Sequence, residues 1–374
     1  MTDKHLHIVT HDIPFPVIHG GLVDLYHKIV ALHAIGVKIH LHCFKKYNQT
    51  EQPELQKYCV SVNYYKRTTG LPGLTYSMPY IVSSRKNKRL VEALCMDDYP
   101  IIVGGIHCSA LLLEPKLKGR KFLLRLYNVE HKYYRQLGKF EKDTFKKIYF
   151  YTESKLLEKY EATIARKARF ACLSEDDTKF YKSQFNAEAY FLPVFIPYKT
   201  MHQHREHGMY CLYHANLAVS ENQEAVEWLL NNVFDQLNIP FVIAGRNPSR
   251  KLTTFIEARQ NACLIANPSE AEMQDLIQKA QVNILPSFNN TGVKLKLINA
   301  LFNGGHCIVN KAGVLGSGVE DLCTIAETAA DFQQEIKRLF DLDFDSVQIS
   351  MRQKILDTTY NNEANAKRLM SLIL

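Results

Sequence analysis

No apolar run in the chain approaches the ~18 residues that a membrane-spanning helix needs. The N-terminus, MTDKHLHIVT, has neither an apolar signal core nor a cleavage site, so secretion is not expected. There is no CxxC pair. The nine cysteines, Cys43, Cys59, Cys95, Cys108, Cys172, Cys211, Cys263, Cys307 and Cys323, are scattered, and most sit in apolar stretches such as ACLIA and HCIVN. Free buried thiols in a reducing cytosol fit that pattern better than a disulfide framework or a zinc site. Glycine and proline number only 17 and 13 in 374 residues, and 22% of residues are charged, which excludes collagen-like, low-complexity and largely disordered chains. No GxGxxG follows the first apolar run, so the dinucleotide fingerprint is missing. No GxxxxGK[ST] occurs, which argues against a P-loop NTPase, and no GxSxG, which leaves a hydrolase nucleophile elbow unsupported.

What is present is an alternation of strand-like and helix-like segments, in a chain long enough for two or three domains. LHIVT (6–10) is followed by HDIPFPVIHGG (11–21), whose two prolines and glycine pair read as a loop. Leu22, Leu25, Ile29, Leu32 and Ile35 then recur at helical spacing, Gly36 ends that helix, and VKIHLHCF (37–44) alternates as a strand. PIIVGGI (100–106), KFLLRLY (121–127), a helical stretch over 139–168, FACLS (170–174), a helix around 175–184 and AYFLPV (189–194) continue the series. The rhythm breaks at FIPYKTMHQHREHGM (195–209), the expected linker. A second series then runs YCLYH (210–214), PFVIAG (240–245), ACLIA (262–266), VNILP (282–286), HCIVN (306–310) and CTIAE (323–327), with helices between and a final helix from about 346. Ser220 with Gln223 three residues on carries an N-cap signature. The expected fold is α/β: two Rossmann-like parallel-sheet domains, 1–197 and 208–354, facing a cleft, with 355–374 crossing back onto the first.

The net charge is +8, and the excess is local: from Lys116 to Arg169 there are 16 Lys and Arg against 6 Asp and Glu, interleaved with Phe122, Tyr127, Tyr133, Tyr134, Phe140, Phe145, Tyr149, Phe150, Tyr151 and Tyr160. Such a face suits an anionic partner, and an anionic membrane surface is the expectation. A long solvated helix is the alternative. No RNP, KH, helix-turn-helix or zinc-finger pattern supports nucleic acid.

Asp341-Leu-Asp-Phe-Asp345 offers paired carboxylates for Mg²⁺ or Mn²⁺, but it follows every expected strand, where a surface turn or helix cap is the simpler reading. Eight of the 15 histidines lie at or before His42. His40 and His42 share one strand face, and His202, His204 and His207 crowd the linker, yet neither group has Cys or carboxylate partners at metal spacing. No metal site is expected. The strongest chemical signal is NNTGVKLKLINALFNGG (289–305). A small-residue loop, Asn289-Asn290-Thr291-Gly292, follows a strand end and opens a helix whose free N–H groups suit a phosphate. Lys294 and Lys296 sit in the first turn, where cations oppose the helix dipole unless an anion lies nearby. Lys296 is the first candidate to contact a diphosphate. Arg246, directly after FVIAG, lies at a strand end that faces the ligand side of such sheets, as a phosphate clamp or an exposed loop arginine.

These segments resemble the GT-B glycosyltransferases, nearest to the retaining family-4 group. The resemblance rests on Ser220-Glu221-Asn222, Gly245-Arg246-Asn247-Pro248, and Gly292-Val-Lys294-Leu-Lys296-Leu-Ile-Asn299-Ala300 through Gly304. In the first half it rests on Gly20-Gly21, Arg125-Leu-Tyr-Asn128-Val-Glu130-His131 and Leu173-Ser174-Glu175. It implies transfer of a sugar, with retention, from a nucleotide-diphosphate sugar to a glycan or lipid-linked acceptor. It implies a cytoplasmic enzyme, peripheral on the inner membrane face, working in cell-surface polysaccharide synthesis without cofactor or metal. Gly20, Gly21, Arg246, Thr291, Gly292, Lys294 and Asn299 would bind the donor. Lys296, His107 and Glu130 would serve catalysis, and Asn128 and His131 would line the acceptor side. The family's usual ribose-binding Glu is Asn299 here, which keeps a carbonyl acceptor but no charge. That departure motivates one alternative, a degenerate module that binds a glycan or partner. A GT-B sugar-nucleotide epimerase is the other.

Overall fold

The computed structural model describes residues 4–17, 20–46, 48–75, 77–141, 143–201 and 207–374. Two compact units emerge: Met1–Pro197 with Tyr360–Leu374, and Tyr198–Thr359.

The N-terminal unit contains β1 (His5–Thr10), α1 (Gly20–Ala34), β2 (Lys38–Lys45), β3 (Ser61–Lys66), α2 (Tyr80–Ser83), α3 (Lys88–Leu94), β4 (Ile101–Gly104), β5 (Phe122–Leu126), α4 (Glu130–Phe140), α5 (Thr144–Ile164), β6 (Arg169–Cys172), α6 (Glu175–Phe185) and β7 (Ala189–Phe191). Its seven strands lie in the order β3-β2-β1-β4-β5-β6-β7, every pair parallel, with Ile8 between Leu41 and Ile102. Alternate residues feed two cores. Leu6, Ile8, Leu41, Ile102 and Leu123 meet α1 on one face, while Val9, Val103, Leu124 and Phe170 meet Leu157 and Ile164 of α5 on the other. Both faces are covered, which is why these strands read as continuous apolar runs.

Charge is also buried here. Asp24 of α1 accepts from Arg125 of β5 at 2.7 Å and from Lys28 at 3.2 Å, and the Arg125 guanidinium donates onward to the carbonyls of Leu192 and Pro193. The two cations hold the Asp24 carboxyl far below its usual range despite burial. Removing one partner from such a buried network costs about 3–5 kcal/mol. The network binds α1 to the sheet.

The C-terminal unit contains β8 (Cys211–Asn216), α7 (Ser220–Trp228), β9 (Phe241–Arg246), α8 (Arg250–Glu257), β10 (Ala262–Ala266), α9 (Glu270–Lys279), β11 (Val282–Ile284), α10 (Leu295–Asn303), β12 (His306–Val309), α11 (Lys311–Val314), β13 (Thr324–Ile325), α12 (Ala329–Phe340) and α13 (Ser346–Thr359). Its six parallel strands run β10-β9-β8-β11-β12-β13. The last helix, α14 (Asn362–Ile373), belongs to the N-terminal unit, where Ala366, Leu369, Met370 and Ile373 share a core with Ile29 and Leu32 of α1. In each sheet the strand order reverses once, between β1 and β4 and between β8 and β11. Ligands of open α/β sheets bind off the strand ends at such points.

Several elements differ from the sequence expectation, each for a local reason. β3 is an edge strand with little burial, so its alternation is weak, and with α2 and α3 it escaped the pattern. The helical stretch over 139–168 is two helices, because Asp143 accepts from the Lys146 N–H and starts α5 afresh. The final helix divides likewise, Asn361 capping α14 through the Ala364 N–H. Ser220 is the first residue of α7 rather than its cap, and the Gln223 side chain donates to the Leu217 carbonyl instead. His202 and His204 lie outside the described residues, and His207 stands 3.2 Å from Asp343. Asp345 accepts from the Gln348 N–H in the first turn of α13. On β1 and β2 the histidines contact one another: His5 with His40 at 3.0 Å and His7 with His42 at 2.9 Å, closed off by Asp97 and Tyr65.

Candidate functional site

The reversal between β8 and β11 holds a cluster of cations. After β11 the chain enters the loop 285–294. Asn289 folds it, its side-chain oxygen accepting from both the Thr291 N–H (2.8 Å) and the Thr291 hydroxyl (2.7 Å). Gly292 follows with φ +69°, a left-handed turn that favours glycine. Glu221, in the first turn of α7, ties the loop down by accepting from Ser287 at 3.1 Å and Asn289 at 3.2 Å. Asn310 braces it from the far side, bonding the Ser287 N–H and carbonyl.

Lys294 caps α10 without a side-chain bond to the helix, and its ammonium donates to the carbonyls of Thr291 (2.6 Å) and Gly292 (3.2 Å). Lys296, in the first turn, turns back over β8. Its Nζ lies 4.7 Å above the Tyr213 ring, 3.3 Å from the Tyr213 hydroxyl and 3.5 Å from Asn222. Neither lysine has a carboxylate within ion-pair distance among the described residues. Burial pushes Lys296 down to about 8, against the pull of Glu221 and with the push of Lys294. Beside it His214 is 5% exposed, its Nε2 buried without a partner among the described residues. Burial and the Lys296 charge push that imidazole down to about 3, so it is neutral. The cluster is a half-desolvated positive site with an uncommitted imidazole nitrogen, at a helix start. Its chemistry suits a phosphate group.

The other donor candidates differ in setting. Arg246 ends β9 and is exposed, paired in register with Asn216 of β8. Gly245 before it has no room for a side chain, since a Cβ would stand 2.0 Å from the Ala215 carbonyl. Asn299 is one turn beyond Lys296 and accepts from the Asn303 amide at 2.7 Å.

In the N-terminal unit the reversal between β1 and β4 is built from rings. Gly105, at φ +83°, swings the chain out of β4 into His107, whose ring stacks on His11 at 4.6 Å. The His11 ring meets the edge of Tyr127 at 5.8 Å. His107 Nδ1 and the Tyr127 hydroxyl are buried without partners among the described residues. Burial first, then the charges of His11, Arg85 and Arg67, hold His107 well below its usual value, so it is neutral. Gly20 and Gly21, expected in a loop, are the exposed first residues of α1. Asn128, Glu130 and His131 follow β5. His131 is turned inward, its Nδ1 bonded to Glu161, and Glu161 also accepts from the Glu130 N–H at 2.9 Å. Glu130 is 3% exposed and is pushed up to about 8 by burial and by Glu161, against a hydrogen bond with Asn128.

Glu221, Tyr213, His214, His11 and Tyr127 were not singled out from the sequence as site residues. Glu221 lay inside the Ser220-Glu221-Asn222 segment already marked, and alternation along YCLYH would have set Tyr213 and His214 on opposite faces.

Known structures show the same architecture. TarM superposes with a TM-score of 0.71 over 100% of this chain and 99% of its own, at 12% identity. A glycosyltransferase from Rickettsia africae ESF-5 gives 0.64 over 100% and 98%, at 11% identity, and apo OtsA gives 0.62 over 98% of both chains, at 11%. The fold is GT-B. No family model matches the chain. A curated relative, an uncharacterized 44.6 kDa protein in the cps region of Klebsiella pneumoniae, is 27% identical over 341 residues, 83% of this chain and 84% of that one.

Proposed function

We propose that this GT-B protein is a glycosyltransferase of the retaining family-4 kind, using a nucleotide-diphosphate sugar. The observation that carries the reading is Lys296: a half-buried cation at a strand-order reversal and a helix start, without a carboxylate partner among the described residues. In the reaction the bond from the anomeric carbon to the diphosphate oxygen breaks, the acceptor oxygen bonds that carbon, and the acceptor proton leaves with the phosphate. Lys296, Lys294 and the Gly292 amide stabilise the charge that builds on the departing oxygen, a role that needs no metal; the Thr291 amide, expected to share in it, is already held by Asn289. His107, neutral and with a free ring nitrogen, suits a sugar hydroxyl. A TarM variant from S. aureus was crystallised with fondaparinux, α-GlcNAc-glycerol and UDP, which supports a nucleotide donor and a glycan acceptor for this chain. The relative in a cps region supports surface-polysaccharide synthesis.

Calorimetric titration of UDP and GDP into wild type and Lys296→Ala tests the reading. One nucleotide should bind wild type and lose its affinity in the variant. Folded wild type that binds neither would favour the degenerate module that Asn299 motivates.

The basic, aromatic stretch supports a membrane face. No helix among the described residues is long and apolar enough to cross a bilayer. The start of α5, however, holds Phe145 at 85% and Ile148 at 59% exposure, with Tyr149 on the same helical face and Lys139, Lys146 and Lys147 exposed around them. Flotation with phosphatidylserine-containing vesicles should recover the protein at low salt, and Phe145→Ser/Ile148→Ser should lose it. Equal recovery with neutral phosphatidylcholine vesicles would contradict the assignment.

A further inference from the structure

A cavity of about 630 Å³ lies in the N-terminal unit, apart from the rings at the strand reversal. Its apolar wall is Val91, Ala110 and Leu111, and Arg85, Lys86, Lys88 and Lys116 bring four cations to it. Arg85 is the unusual member. It is 7% exposed, its Nε–H donates to the His11 carbonyl at 3.2 Å and its Nη1–H to the Ile81 carbonyl at 2.8 Å. No carboxylate lies within ion-pair distance of it among the described residues. Glu92 and Glu114 also line the cavity, and neither pairs with Arg85. Asp12, which feels the Arg85 charge, is bound instead to Lys46 and Gln49.

A buried guanidinium that meets only carbonyls is destabilising, and burial holds it down at about 10. Arginine's planar fork matches phosphate and carboxylate groups. The same residue is linked to the candidate sugar site, because the carbonyl it holds belongs to His11, the residue stacked on His107.

We propose that this cavity binds an anionic group of the acceptor, held by Arg85 with Lys88 and Lys116. The proposal rests on the glycosyltransferase reading and adds to it the chemistry of the acceptor: a substrate bearing a phosphate or a sugar carboxylate, not a neutral glycan. The size suits a sugar-sized group with its anion rather than a bare ion.

The test uses the full chain carrying Lys296→Ala, which removes the strongest competing anion contact. Inorganic pyrophosphate and a glucuronate-terminated disaccharide are titrated separately at physiological salt. Binding of either, weakened about tenfold or more by Lys88→Ser/Lys116→Ser, supports the proposal. Pyrophosphate binding names a phosphorylated acceptor, and disaccharide binding an acidic glycan. Arg85→Gln should weaken it further, and the exposed lysine pair keeps the test readable if that variant does not fold. Binding of neither probe, or binding indifferent to the lysine pair, overturns the proposal. A parallel nucleotide titration of wild type separates the two claims. Nucleotide binding without anion binding defeats this inference alone, and no nucleotide binding defeats the donor reading.

Discussion

The two strand-order reversals of this chain are built from opposite materials. Between β8 and β11 stand lysines on a helix start, half desolvated and without carboxylate partners among the described residues. Between β1 and β4 stand a neutral imidazole stacked on His11 and a phenol edge-on to it, both with free polar atoms. Both places lie at strand-order reversals, where open α/β sheets bind their ligands. The side chains suit them to different chemistry. Uncompensated cations in low dielectric favour an anion, whereas neutral donors and acceptors favour hydroxyls, whose hydrogen bonds they can exchange without burying charge. One topological feature, used twice, thus carries a cationic cluster in one unit and a neutral ring cluster in the other.

The comparison breaks most easily at Lys296. Lys296→Ala should weaken nucleoside diphosphate binding by about 10- to 100-fold, the range for a charge-assisted hydrogen bond in a desolvated site. His107→Ala should leave that binding within about twofold and lower sugar transfer by about tenfold, because its partner is a hydroxyl present only on the intact donor. If His107→Ala weakens the bare nucleotide as much as Lys296→Ala does, the division of labour is wrong.

Proton linkage sharpens the same contrast. Lys296 titrates near 8 in the free protein, and a bound diphosphate holds its proton more tightly. Nucleotide affinity should therefore fall as pH rises through 8, by at most about tenfold per unit, and the fall should vanish in Lys296→Ala. His107, already neutral, contributes no such slope between pH 7 and 9.

A separate effect, on stability rather than binding, concerns the buried acid of the N-terminal unit. Glu130 is raised from 4.5 to about 8, so the folded state holds a proton that the unfolded state releases. Its contribution to stability is complete below 4.5 and is lost as pH rises through 8, at no more than about 1.4 kcal/mol per pH unit. The apparent Tm should drop across that window, and Glu130→Gln should lessen the drop.

Much of this was legible in the sequence. The strand-helix alternation is local and strong, because parallel strands buried on both faces read as apolar runs. The loop and helix start at 289–296 are equally local, so Lys294 and Lys296 stand out as cations at the wrong end of a dipole. What the sequence hid is made at a distance. Glu161 lies 30 residues from His131, and nothing in the local pattern turns that histidine inward. Glu221 braces a loop 66 residues away, and Arg85 holds a carbonyl 74 residues away. Single caps were also invisible: Asp143 and Asn361 each divide what periodicity reads as one helix.

A crystal structure with the nucleoside diphosphate that binds most tightly would test the central claim directly. The account predicts the diphosphate within hydrogen-bond distance of Lys296 Nζ, at the start of α10 between β8 and β11. A diphosphate found against His107 or in the Arg85 cavity, with Lys296 still folded over Tyr213, would contradict it.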